Sequence, residues 1–142
     1  MAEKEIVEKI KKLGERYNSS LAKIGELMTE IAEEIKDIPY NSFKVGNLVW
    51  RRDCLWHSPQ WSYGPRFEWE DEGLIDPRGP NKSWYFAGDF NCHLRTASPK
   101  GFREAAKNLP KFMESLRETL KKEASEAEET IKKLEKMLEA LG

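Results

Sequence analysis

The 142 residues predict an α+β protein. The expected architecture is a long antiparallel helical hairpin, coiled-coil-like, with a small antiparallel β-sheet inserted between its helices. Three observations carry this expectation. Apolar residues recur at steps of three and four over both ends of the chain. The stretch between them is punctuated by Gly and Pro and alternates apolar with polar residues. All five Trp, both Cys and both His fall in that middle stretch, while charge is spread evenly along the chain.

The first arm, residues 1–38, reads as one helix over about 3–37, with Ile10, Tyr17, Ile24 and Ile31 on one seam position and Ile6, Leu13, Ser20 and Leu27 on the other. Pro39 ends it, since proline lacks the amide that would continue the ladder. The last arm, residues 98–142, opens at Ser98-Pro99, an N-cap followed by a first-turn proline. Pro110 predicts a kink, with Asn108 as the cap of a restarted helix that runs to about Leu141. Met113, Leu120, Ala127, Leu134 and Leu141 form one seam of that helix, flanked by Leu109, Leu116, Ile131, Met137 and Leu138. Antiparallel pairing of the arms, with Ile35 set against Leu109, brings Ser20 opposite Ala124 and Ile6 near Leu138. The same seams are satisfied by a homodimer built through the helical arms.

The aromatic-rich β insert, residues 43–97, contains three expected strands. Phe43–Asp53 is the first, Pro65–Glu70 the second, with Phe67 and Trp69 on one face, and Ser83–Arg95 the third. Asp76–Asn81 is a turn, and the loop His57–Gly64 carries aromatics without strand periodicity. The whole chain is expected to be a single domain. The order helix, β insert, helix is loosely similar to prefoldin-type chaperone subunits at the level of fold, although no motif matches and the insert is heavy for that plan.

Composition excludes several functions. With 24 Lys+Arg against 25 Asp+Glu the net charge is −1, without the basic excess of a general polyanion binder. No apolar run approaches the ~20 residues of a membrane span. The charged start, Met1–Glu5, shows no signal-like pattern. The expectation is a cytoplasmic protein with reduced thiols, no membrane partner and no cofactor.

Three constellations in the insert bear chemistry. Cys54, His57, Cys92 and His93 have the ligand types of a zinc site, but Cys92 and His93 are adjacent on a strand and would point to opposite faces. Buried thiols and surface imidazoles account for them more simply. Asp89, Asn91 and His93 share one strand face and suit a divalent cation or an acid–base pair, yet no nucleophile accompanies them. The third is the mixture of Arg51, Arg52, Trp61, Tyr63 and Arg66, residue types enriched where proteins bind one another. The leading reading is a non-catalytic protein-interaction module, an adaptor, scaffold or inhibitor that binds a partner protein through these five residues. A small viral or mobile-element protein acting on a host complex fits this plan. Single-stranded nucleic acid, stacked on Trp and Tyr, is the alternative. A metal or hydrolytic site at Asp89, Asn91 and His93 is the second.

Overall fold

The computed structural model describes residues 2–52, 64–72, 82–86 and 99–142, and for 70–72 and 82–86 the backbone alone. It shows an α+β chain whose sheet is inserted between helices. The elements are α1 (Ala2–Glu34), β1 (Ser42–Val45), β2 (Leu48–Arg51), β3 (Arg66–Glu72), β4 (Lys82–Phe86), α2 (Pro99–Lys107) and α3 (Leu109–Leu141). The chain divides into two compact units, Met1–Leu109 and Pro110–Gly142.

In the first unit the four strands form an antiparallel meander, in the order β1-β2-β3-β4. The expected first strand, Phe43–Asp53, is in fact two strands. Gly46-Asn47 folds it into a hairpin, with Val45 paired to Leu48 and Phe43 to Trp50. Gly46 has φ +60°, and no non-glycine residue described has positive φ, so the turn places its one left-handed residue first, as a type II′ hairpin requires. The alternation expected of the second strand is present in β3, where Phe67 and Trp69 are buried. Of the expected third strand, Lys82–Phe86 is β4, and the remainder, like the turn at 76–81, lies outside the described residues.

Register sorts the sheet into two faces, because partners directly across a ladder share a face. Trp50 pairs with Phe67 and Leu48 with Trp69. All four are at most 1% exposed. This is the face the helices cover. The Trp50 indole N–H donates to the carbonyl of Ala32 in α1 at 3.0 Å, and the Trp69 ring meets Phe102 of α2 with centroids 4.8 Å apart. Leu21, Gly25, Met28 and Ala32 of α1 and Ala105 of α2 complete the buried set on these helices.

The bond from Trp50 also finishes a helix end. The last carbonyls of an α-helix lack intrahelical donors. Ile31 receives the amide of Ile35, and Glu33 that of Lys36. The Ala32 carbonyl between them takes the indole, so a core side chain caps α1 just ahead of Pro39.

The buried stripe of α1 departs from the heptad read from the sequence. Leu21 and Met28 are each 2% exposed, whereas Leu27 is 45% exposed. Ser20 turns its hydroxyl back to the Arg16 carbonyl at 3.0 Å and is exposed. The apolar line therefore runs Tyr17, Leu21, Gly25, Met28, Ala32, with two successive steps of four. Such a four-residue step is a stutter, which resets the phase of a heptad seam. The Ser19-Ser20 notch in the sequence is where the phase changes.

Pro99 stands at the first position of α2, where its missing amide costs nothing. The amide of Asn108 closes α2 on the carbonyls of Glu104 and Ala105, and α3 begins at Leu109. In the second unit Phe112 and Leu116 are buried. From Lys121 onward every residue is exposed.

Candidate protein-interaction surfaces

Arg51 and Arg66 face each other across the β2–β3 ladder. Two like charges directly opposite repel. Glu68, one face-step along β3, resolves this. Its carboxylate accepts from Arg66 Nε at 2.9 Å and from Arg51 Nε at 3.2 Å. The Arg66 side chain is only 8% exposed and that of Glu68 14%, with Arg51 at 28%. This triad locks the register of two strands by charge-assisted bonds. Its geometry makes Arg66 and Arg51 framework groups of the sheet, and Arg66 in particular is too buried to serve as the open contact that the sequence suggested.

Arg52 has a different setting. Its backbone amide donates to Asn41 at 2.9 Å, beyond the end of β2. Its guanidinium carbon lies 5.9 Å from the Trp50 ring centroid, within cation–π range. Its Nε makes no hydrogen bond among the described residues. With Lys36, Asp37 and Pro65 it lines an open depression at the end of α1. Trp61 and Tyr63, the other two expected contact residues, lie outside the described residues.

Cys54, His57, Cys92 and His93 also lie outside the described residues, as do Asp89 and Asn91. Among the described residues no group of three or more His, Cys, Asp or Glu is placed to hold a metal ion. No described helix is long and apolar enough to cross a membrane.

Among the described residues the exposed large hydrophobic side chains lie on the arms. Every described residue of α1 from 2 to 20 is exposed, and yet that segment carries Ile6, Val7, Ile10, Leu13 and Tyr17 at helical spacing. Ile10 is 62% and Leu13 60% exposed. Tyr17 has Arg103 of α2 over its ring at 5.6 Å, which marks where the α1 arm leaves the core. In the second unit Ile131, Leu134, Met137, Leu138 and Leu141 are all at least half exposed. The outer faces are polar, with single-helix pairs such as Glu8–Lys11 at 3.8 Å and Glu114–Arg117 at 3.1 Å. Such exposed pairs add only a few tenths of a kcal/mol.

No family model, no curated protein and no solved structure matches the chain.

Proposed function

We propose that the chain is a non-catalytic protein-interaction module, an adaptor, scaffold or inhibitor. Its aromatic-rich insert takes a partner protein, and its helical arms set length and oligomeric state. One observation supports this reading most strongly: every residue of α1 from 2 to 20 is exposed, and the segment bears a continuous apolar stripe. Contiguous apolar surface of this kind marks an interaction site on a folded protein. Gly14, Asn18, Ser19 and Ser20 also weaken the helix over this segment. Such a segment is suited to a role in which something covers it.

Within the insert, Arg52, Trp61 and Tyr63 are the contact residues of this proposal, while Arg51 and Arg66 tie β2 to β3 through Glu68. The balanced charge of the chain, −1 overall, supports a protein partner over nucleic acid, whose binding draws on a basic excess.

The test is capture from nuclease-treated lysate, comparing wild type with a Trp61→Ala/Tyr63→Ala variant. A stoichiometric protein is expected on the wild-type chain and at least tenfold less of it on the variant. A ligand lost on nuclease treatment, or a protein held equally by both chains, contradicts the assignment.

A further inference from the structure

We propose that the apolar stripes of the two arms are covered by a second copy of this chain, the α1 arm of each copy pairing antiparallel with the α3 arm of the other. This rests on the reading of the arms as interaction surfaces and names their occupant.

The two stripes fit each other in one register. Antiparallel facing positions that sum to 144 set Ile6 against Leu138, Ile10 against Leu134 and Leu13 against Ile131. All six are exposed in the single chain. The same register sets the bulky Tyr17 against the small Ala127, and Ser20 against Ala124, two small residues that let the helices approach closely. Both segments are of similar length, residues 2–20 and 121–141, or roughly 30 Å at 1.5 Å per residue.

Charge selects this pairing over pairing of like arms. The positions flanking the seam of the α1 arm carry Lys9 and Arg16 beside Val7 and Gly14. Those flanking the α3 seam carry Glu123, Glu128 and Glu135 beside Thr130 and Met137. An antiparallel α1–α1 or α3–α3 contact brings rims of one sign together. In the α1–α3 contact Lys9 and Arg16 run beside Met137 and Thr130, and Glu135 and Glu128 beside Val7 and Gly14, so neither rim meets its own sign. Rim charges of this kind choose partner and orientation in coiled coils.

Area is sufficient. A half-exposed Leu or Ile loses on the order of 60 Å² of apolar surface when covered, at ~25 cal/mol/Å². A two-fold dimer has two α1–α3 contacts and covers the stripes of both copies, on the order of 1,200 Å² of apolar surface, which reaches the size of a stable specific interface.

The experiment is sedimentation equilibrium of the full chain from about 1 to 100 μM, alongside three charge variants and one seam variant. The charge variants are Thr130→Lys/Met137→Lys, Lys9→Glu/Arg16→Glu, and the chain carrying all four changes. Wild type is expected at twice the chain mass. Thr130→Lys/Met137→Lys, which sets lysines beside Lys9 and Arg16, is expected to raise the dimer Kd at least tenfold. Lys9→Glu/Arg16→Glu is expected to leave it within about threefold, and the four-site variant to recover most of the loss. Ile10→Glu is expected to leave monomer. All changed positions are exposed, so the near-ultraviolet circular dichroism of the buried Trp50 and Trp69 is expected to persist and to separate dissociation from unfolding. A wild-type chain that is monomeric throughout, or a dimer indifferent to lysines at positions 130 and 137, overturns the proposal. Retention of a captured partner by a monomeric chain would then leave the module reading standing without the second copy. A dimer that captures no partner would support this pairing and count against the adaptor role.

Discussion

Trp50→Ala is expected to lower unfolding stability by about 3–5 kcal/mol, the range for truncating a large core aromatic. Trp50 is fully buried at the middle of the sheet. Its ring packs in the layer with Phe67, across the ladder, and its N–H closes the end of α1. Trp50→Phe separates the two contributions. It keeps most of the ring but leaves the carbonyl of Ala32, a residue with no exposure, without its donor. An unmade bond at a buried carbonyl costs about 1–3 kcal/mol. The phenylalanine variant is therefore expected at about a third to a half of the alanine loss. Urea unfolding followed by circular dichroism at 222 nm reads both. Because small domains hold only about 5–15 kcal/mol, the alanine variant is expected to shift the midpoint plainly. A loss below ~1 kcal/mol for Trp50→Ala would contradict the placement of this side chain.

A second large effect distinguishes the observed α1 phase from the uninterrupted heptad. Leu21→Ala is expected to cost about 2–5 kcal/mol, as a buried leucine does. Leu27→Ala, on a residue 45% exposed, is expected to stay within ~0.5 kcal/mol, as surface changes do. The uninterrupted heptad predicts the reverse, with Leu27 inward and position 21 off the seam. The same urea titration decides between them.

The course of α1 shows what the sequence made legible and what it did not. Periodicity located the helix and Pro39 located its end, because both are local properties of the chain. The phase of the buried face was not local. Either Ser20 or Leu21 can follow Tyr17 on a helical stripe, and the choice is made by the sheet that α1 packs on, through Leu21, Met28 and the bond from Trp50 to Ala32. The hairpin at Gly46-Asn47 was legible in principle. A Gly-Asn pair between two short apolar runs is a recognised turn signal. Alternation across Phe43–Asp53 suggests one strand, but the Gly46-Asn47 pair divides it.

Within the candidate site, residue type alone could not separate Arg51, Arg52 and Arg66. Register separates them. Arg51 and Arg66 oppose each other across the ladder and share Glu68, while Arg52 lies one residue beyond the strand. The acidic partner was visible in the sequence only as one member of a charged run, Glu68 to Glu72. The apolar stripes at residues 2–20 and 121–141 were legible. Their exposure was not, because a seam read from sequence carries no information on which chain covers it.

The central claim, that the arms' apolar stripes are interaction surfaces, is tested most directly by amide hydrogen exchange over residues 2–20 and 121–141. The full chain is measured at 50 μM, at 0.5 μM and as Ile10→Glu. The account predicts protection of both segments at the higher concentration. It predicts loss of that protection on dilution and in the variant, with the core strands unchanged in all three. Free-peptide exchange rates in both segments under every condition, or protection that Ile10→Glu leaves untouched, would contradict it.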